Sequence, residues 1–216
     1  MWRTLGTVLV ILSVMAAPAT ADHGPIIDVT CPIPSARVVL DPGHGGSDPG
    51  AVNEAHGLRE ADLALAIATR VAEILRAEGS FTVALTRQDA STELGNSARG
   101  AIANACSAEV FVEIHLNASV DRDVNYAQTF WAAKEKDLVF SQVMNAALGS
   151  LGIPLNDVDR FDNGGLLRAK MPSVLVESVF ISNPTEAEAL VQPPRREEIA
   201  RAIASGIFAW FALWSV

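Results

Sequence analysis

His44, Glu60, His115 and Glu177 are the residues of this chain whose types could do chemistry together. Two histidines and a glutamate are a ligand set that catalytic zinc commonly takes, because three protein donors leave a fourth position open. A second carboxylate nearby, here Glu177, can take a proton from water and give it to a leaving amine. These residues are far apart in the chain and fit no short metal-binding pattern. Spacing alone therefore carries little, and a lone histidine is more often structural than a ligand. Only the fold could bring the four together.

The elements that must do so are legible. Residues 37–41 read as a β-branched strand, stopped by Pro42 and a Gly-rich turn that carries His44. Residues 59–78 read as a helix: Leu63, Ile67, Val71, Ile74 and Leu75 recur at helical spacing, and Gly79 suits its end. Residues 81–86, 110–115, 127–132 and 173–179 read as further strands. Residues 96–105, 137–151 and 195–213 read as helices, and 166–168 as a short extended piece. Strands alternating with helices predict an α/β three-layer sandwich, phosphorylase/hydrolase-like, with a mostly parallel sheet of about six strands flanked by helices. In an open α/β sheet, ligands bind outside the carboxyl ends of the strands. His44, His115 and Glu177 fall at or near such ends. Glu60 opens the first helix, which aims it back at the same crevice.

Composition narrows the function classes. Half of the 216 residues are hydrophobic and 19% are charged, which excludes a disordered chain. The formal net charge of −9 argues against nucleic acid or an anionic bilayer as an electrostatic partner. Part of the apolar excess lies at the start, where Arg3, an apolar run over 5–17 and Ala19-Thr20-Ala21 describe a signal peptide over residues 1–21. That run is shorter than the roughly 20 residues a spanning helix needs, so no stable membrane anchor is expected after processing. A lead-in over 22–36 and a catalytic domain over 37–216 follow, with no appended module. His23 would be the second residue of the processed chain. Residues 208–214 are unusually aromatic and read as the end of a helix packed on the sheet.

Export permits disulfides. Cys31 and Cys106 each lie just before a strand, so both fall at the amino edge of a parallel sheet. A Cys31–Cys106 bridge and two buried thiols both fit.

Four segments carry a family resemblance: Leu40-Asp-Pro-Gly-His-Gly-Gly-Ser-Asp-Pro-Gly-Ala51, Leu58-Arg-Glu-Ala-Asp-Leu63, Val112-Glu-Ile-His-Leu-Asn117 and Val174-Leu-Val-Glu-Ser-Val-Phe-Ile-Ser-Asn183. In this order they resemble the zinc-dependent N-acetylmuramoyl-L-alanine amidases of type 3, collinearly over residues 37–211. The resemblance implies one zinc held by His44, Glu60 and His115, with Glu177 as acid/base. It implies peptidoglycan as substrate, cut between N-acetylmuramic acid and the L-alanine of the stem peptide by zinc-activated water. The chain departs from the family pattern at Glu113, where a small residue such as Ser is usual, and at Leu116, where Ala is usual. In a strand Glu113 and His115 share a face, so Glu113 could orient a zinc ligand, or simply reach water at the sheet edge.

Asn117 and Arg168 are candidates to line the cleft, with local packing as the competing role. His56 reads as a loop histidine, Asp41 and Asp48 as turn residues, and Arg87, Asp89 and Arg99 as structural hydrogen-bonding residues. Lys134 to Gly165 holds about one helix and a loop, without room for the long occluding helix of some family members; an open cleft follows. Two other readings compete: a zinc peptidase acting within the stem peptide, and a non-catalytic wall-binding or regulatory domain. An exported protein is expected, in the periplasm rather than outside the cell; oligomeric state is not legible.

Overall fold

The computed structural model describes residues 29–214. The signal-peptide reading of residues 1–21, His23 and the start of the lead-in lie outside the described residues. In chain order the elements are β1 (Val38–Pro42), β2 (Val52–Asn53), β3 (Leu58–Arg59), α1 (Glu60–Ala77), β4 (Val83–Leu85), α2 (Asn96–Ala105), β5 (Val110–Asn117), β6 (Gln128–Trp131), α3 (Glu135–Leu148), β7 (Asp159–Arg160), α4 (Gly164–Arg168), β8 (Ser173–Phe180), α5 (Pro184–Val191) and α6 (Pro193–Leu213).

Six strands form one sheet in the order β4-β1-β5-β8-β6-β7. The pairs β1–β4, β1–β5 and β5–β8 are parallel, and β6 runs antiparallel to β8. Alternation divides the strands between two apolar layers. Val38, Leu40, Val112, Ile114, Val174 and Val176 pack with α1, α3 and α6. Val39, Phe111 and Leu175 pack on the other face with Ile102, Ala103 and Leu166 of α2 and α4. This is the expected three-layer sandwich, held by burial of both faces of a nearly all-apolar sheet.

The aromatic end of α6 packs as expected up to Phe211, while Leu213 and Trp214 are largely exposed. Trp210 is buried against Phe140, and Phe208 and Phe211 meet Phe81. Among the described residues no helix is long and apolar enough to cross a membrane. Cys31 and Cys106 are disulfide-bonded. Cys106 caps α2, and its carbonyl accepts Ala36 N–H, so the bridge pins the lead-in at the amino edge of the sheet.

Three local readings are corrected. Residues 166–168 are not extended: they lie in α4, capped by Asn163 Oδ1, which accepts Gly165 N–H at 2.6 Å. Two glycines in the first turn hide this helix from a periodicity argument. Helix α5 is an addition to the expected elements, and Asn183 as N-cap with Pro184 behind it is its start signal. Asp41 is not a turn residue but the penultimate residue of β1, fully buried.

Candidate metal centre

Each functional side chain is delivered by a different element to the carboxyl edge of the sheet. His44 follows β1 in a loop where it adopts the left-handed conformation, φ 60°. Glu60 is the first residue of α1, anchored by Ala51 N–H to Oε2 at 2.9 Å and by Leu116 N–H to Oε1 at 3.2 Å. His115 sits near the end of β5 and is the register partner of Glu177 on β8. Backbone crowding here requires glycine: a Cβ at Gly43 would strike the His115 ring, and one at Gly50 would strike His44 and Glu60.

Three donor atoms converge. Glu60 Oε1 lies 3.0 Å from His44 Nε2 and 3.0 Å from His115 Nδ1, and the two nitrogens lie 3.2 Å apart. Donors bound about 2.0–2.1 Å from a tetrahedral ion stand about 3.3–3.4 Å apart. The triangle therefore fits one zinc-sized ion after a shift of a few tenths of an ångström. His44 and His115 keep 23% and 16% of their side chains exposed, so a fourth position faces solvent. Asp48 turns out to be more than a turn residue. Its Oδ1 does accept Gly50 N–H, but its Oδ2 lies 2.7 Å from His44 Nδ1, the nitrogen that faces away from the triangle. A carboxylate in that place fixes the tautomer and ring orientation of a ligating histidine. Its spacing, four residues after His44 in a glycine-rich loop, was the available signal.

Charge is arranged around these groups. Burial opposes ionisation of Glu60, but hydrogen bonds from His115 and His44 outweigh it and hold the carboxyl far below its usual range. Burial likewise opposes charge on His44, and Glu60 and Asp48 override it upward. Glu177 is pushed well up by burial and then by the charge of Glu60. One of its oxygens is buried with no hydrogen-bond partner among the described residues.

The remaining candidates separate. Glu113 shares the His115 face but lies deeper, under α4, opposite Asp41 in the β1–β5 register. Its neighbours are Asp41, Arg99 and Asn163, not the triangle; burial and the Asp41 charge push its carboxyl well up. It therefore neither intrudes on the three donors nor reaches water. Asn117 ends β5 at the cleft, where its Oδ1 accepts Ala118 N–H. Arg168 ends α4 beside α2, where its carbonyl accepts from Asn104 in the last turn of that helix, and its side chain is exposed. His56 Nδ1 faces Asn53 Oδ1 at 3.2 Å in its own loop. Asp89 ties down Ser91 and Thr92, as a loop-structuring residue should.

Residues 38–209 match the family model described as N-acetylmuramoyl-L-alanine amidase. The germination-specific N-acetylmuramoyl-L-alanine amidase of Bacillus subtilis (strain 168) is 32% identical over 197 residues, covering 83% of this chain and 81% of that protein. The catalytic domain of CwlV, an N-acetylmuramoyl-L-alanine amidase from Bacillus (Paenibacillus) polymyxa var. colistinus, superposes with a TM-score of 0.76 at 31% identity, covering 81% of this chain and 97% of that one. The CwlD amidase from Clostridioides difficile, solved in complex with the GerS lipoprotein, gives 0.75 at 31% identity, with 82% and 98% coverage.

Proposed function

The chain belongs to the N-acetylmuramoyl-L-alanine amidase family, and on that premise we propose that His44, Glu60 and His115 hold one zinc ion while Glu177 serves as acid and base. The reaction is hydrolysis of peptidoglycan at the amide between N-acetylmuramic acid and L-alanine of the stem peptide. The observation that carries the site assignment is the convergence of His44 Nε2, Glu60 Oε1 and His115 Nδ1 with Glu177 in register beside His115.

When bound, zinc supplies Lewis-acid polarisation of the amide and of water. The protein residues do the rest. Asp48 holds the His44 ring so that Nε2 presents its lone pair. Glu60, ionised, contributes the one negative charge of the ligand set. Glu177 takes the proton from the attacking water and returns it to the leaving alanine nitrogen, so no covalent intermediate forms. Its raised proton affinity suits that exchange, and a dication beside it would draw it back towards neutrality.

Residues 1–21 act as an export leader and 37–216 as the catalytic domain. The Cys31–Cys106 disulfide supports an oxidising compartment, and we place the protein in the periplasm with peptidoglycan as its partner. The short stretch between β6 and α4 leaves the cleft open. Zymography on purified wall, with and without chelator, tests the assignment together with product analysis. Clearing that needs metal and frees intact stem peptides with N-terminal alanine is expected. Clearing that survives in His44→Ala and Glu177→Ala would refute the residue assignment. Cleavage within the stem would favour a peptidase.

A further inference from the structure

We infer that Arg99, seconded by Arg87, is a positioning residue for the metal site: the two guanidinium groups fasten the backbone carbonyls around His44 and hold that ligand in its left-handed conformation. The inference rests on the zinc reading of His44, Glu60 and His115.

His44 is a non-glycine residue at φ 60°. Such a backbone is disfavoured for a residue with a side chain and persists only where its surroundings over-determine it. Here the surroundings are two buried arginines, 2% and 5% exposed. Arg99 Nη2 donates to His44 O at 2.7 Å, and Arg99 Nη1 donates to Pro42 O at 2.9 Å. Arg87 Nε donates to Pro42 O at 3.0 Å, and Arg87 Nη2 donates to Gly43 O at 2.7 Å. Three successive carbonyls thus point at guanidinium N–H groups rather than at water. Arg87 Nη2 also donates to Ala61 O at 2.7 Å, next to the second ligand, Glu60. One side chain therefore ties the His44 loop to the start of α1.

The charges are arranged to keep Arg99 in place. Asp41 is fully buried at the end of β1 and accepts from Arg99 Nη1 at 3.0 Å and from Thr86 Oγ1. A planar fork with several fixed donors can serve carbonyls and a carboxylate together, and a lysine ammonium cannot reproduce that geometry. Neither arginine bonds to any of the three donor atoms. Their action on the metal passes through the backbone of His44 and Ala61.

A purely structural role predicts loss of fold, whereas positioning predicts loss of metal geometry in a folded chain. The test uses the full chain stripped of metal and titrated with cobalt(II), reading affinity and the visible d–d spectrum, beside the melting curve of the metal-free protein. Arg99→Lys and Asp41→Asn are the variants, and Arg70→Lys, on the far flank of α1 in contact with Glu197, is the control. Expected is an apo melting temperature within a few degrees of wild type, cobalt affinity reduced about ten- to hundredfold, and a shifted spectrum. In turnover on wall fragments kcat should fall with little change in KM. Wild-type cobalt affinity and spectrum in both variants would overturn the inference. So would failure of both variants to fold, since that assigns the arginine to the fold alone. A wild-type chain that binds no cobalt would instead sink the zinc reading itself.

Discussion

Glu177 and His115 are direct register partners across the parallel β5–β8 pair, so both leave the sheet on the same face at adjacent positions. Two sheet positions about 4.8 Å apart thereby carry a metal-type donor and a carboxyl whose charge is penalised by burial. A mobile loop could not hold that spacing as well. Replacing Glu177 by Gln removes the proton acceptor with little change in shape. Turnover should fall about 10²–10⁴-fold, with zinc content unchanged by metal analysis. Loss of zinc along with activity would mean that Glu177 is a ligand rather than an acid/base.

Asp48 contacts His44 through the ring nitrogen that faces away from the donor triangle. Asp48→Asn keeps an acceptor oxygen but removes the charge that favours one tautomer. Zinc affinity, measured by competition with a chelating dye, should weaken about 10–100-fold. Helical content by circular dichroism should not change, because the side chain supports a loop and no core element.

Glu113 is a cost to the fold at neutral pH. Its carboxyl is buried with one oxygen unpartnered among the described residues, facing Asp41, Arg99 and Asn163, and its proton affinity is raised first by burial and then by Asp41. The sign follows from linkage. Below the ordinary carboxyl range both folded and unfolded chains are protonated and no cost arises. Above it the unfolded chain releases its proton while the folded chain keeps it, so stability falls as pH rises towards the folded value. Glu113→Gln should therefore raise the melting temperature at pH 7, by about 2–4 °C for each kcal/mol recovered. The gain should shrink as the pH drops through the ordinary carboxyl range. A gain that is flat with pH would show that Glu113 ionises freely in the fold.

The Cys31–Cys106 bridge closes a loop across 75 residues, which by chain entropy is worth about 4.5 kcal/mol, within the roughly 2–5 kcal/mol typical of native bridges. The Cys31→Ala, Cys106→Ala pair should melt about 5–15 °C lower in calorimetry. At 25 °C its turnover should match wild type, because the bridge lies at the amino edge of the sheet and the chemistry at the carboxyl edge.

The amino-acid sequence by itself determined the layers and the cast. Unbroken, β-branched apolar runs such as 110–112 and 174–176, set between helical segments, read as strands covered on both faces. The spacing of Leu63, Ile67 and Val71 can only serve a helix with one buried stripe. From those elements the carboxyl-edge rule already gathered His44, Glu60, His115 and Glu177. The tertiary structure decided what depends on contacts between residues remote in the chain, which leave no local periodic trace. It made a helix of 164–168, where docking on Glu113 and the Asn163 cap outweigh two glycines. It joined the two cysteines, turned β6 against β8, and fastened the Arg168 carbonyl to Asn104 on α2. It also gave Asp48 and Arg99 their partners. Residue type told that Arg99 must be satisfied if buried; only the folded chain could say that His44 is what it holds.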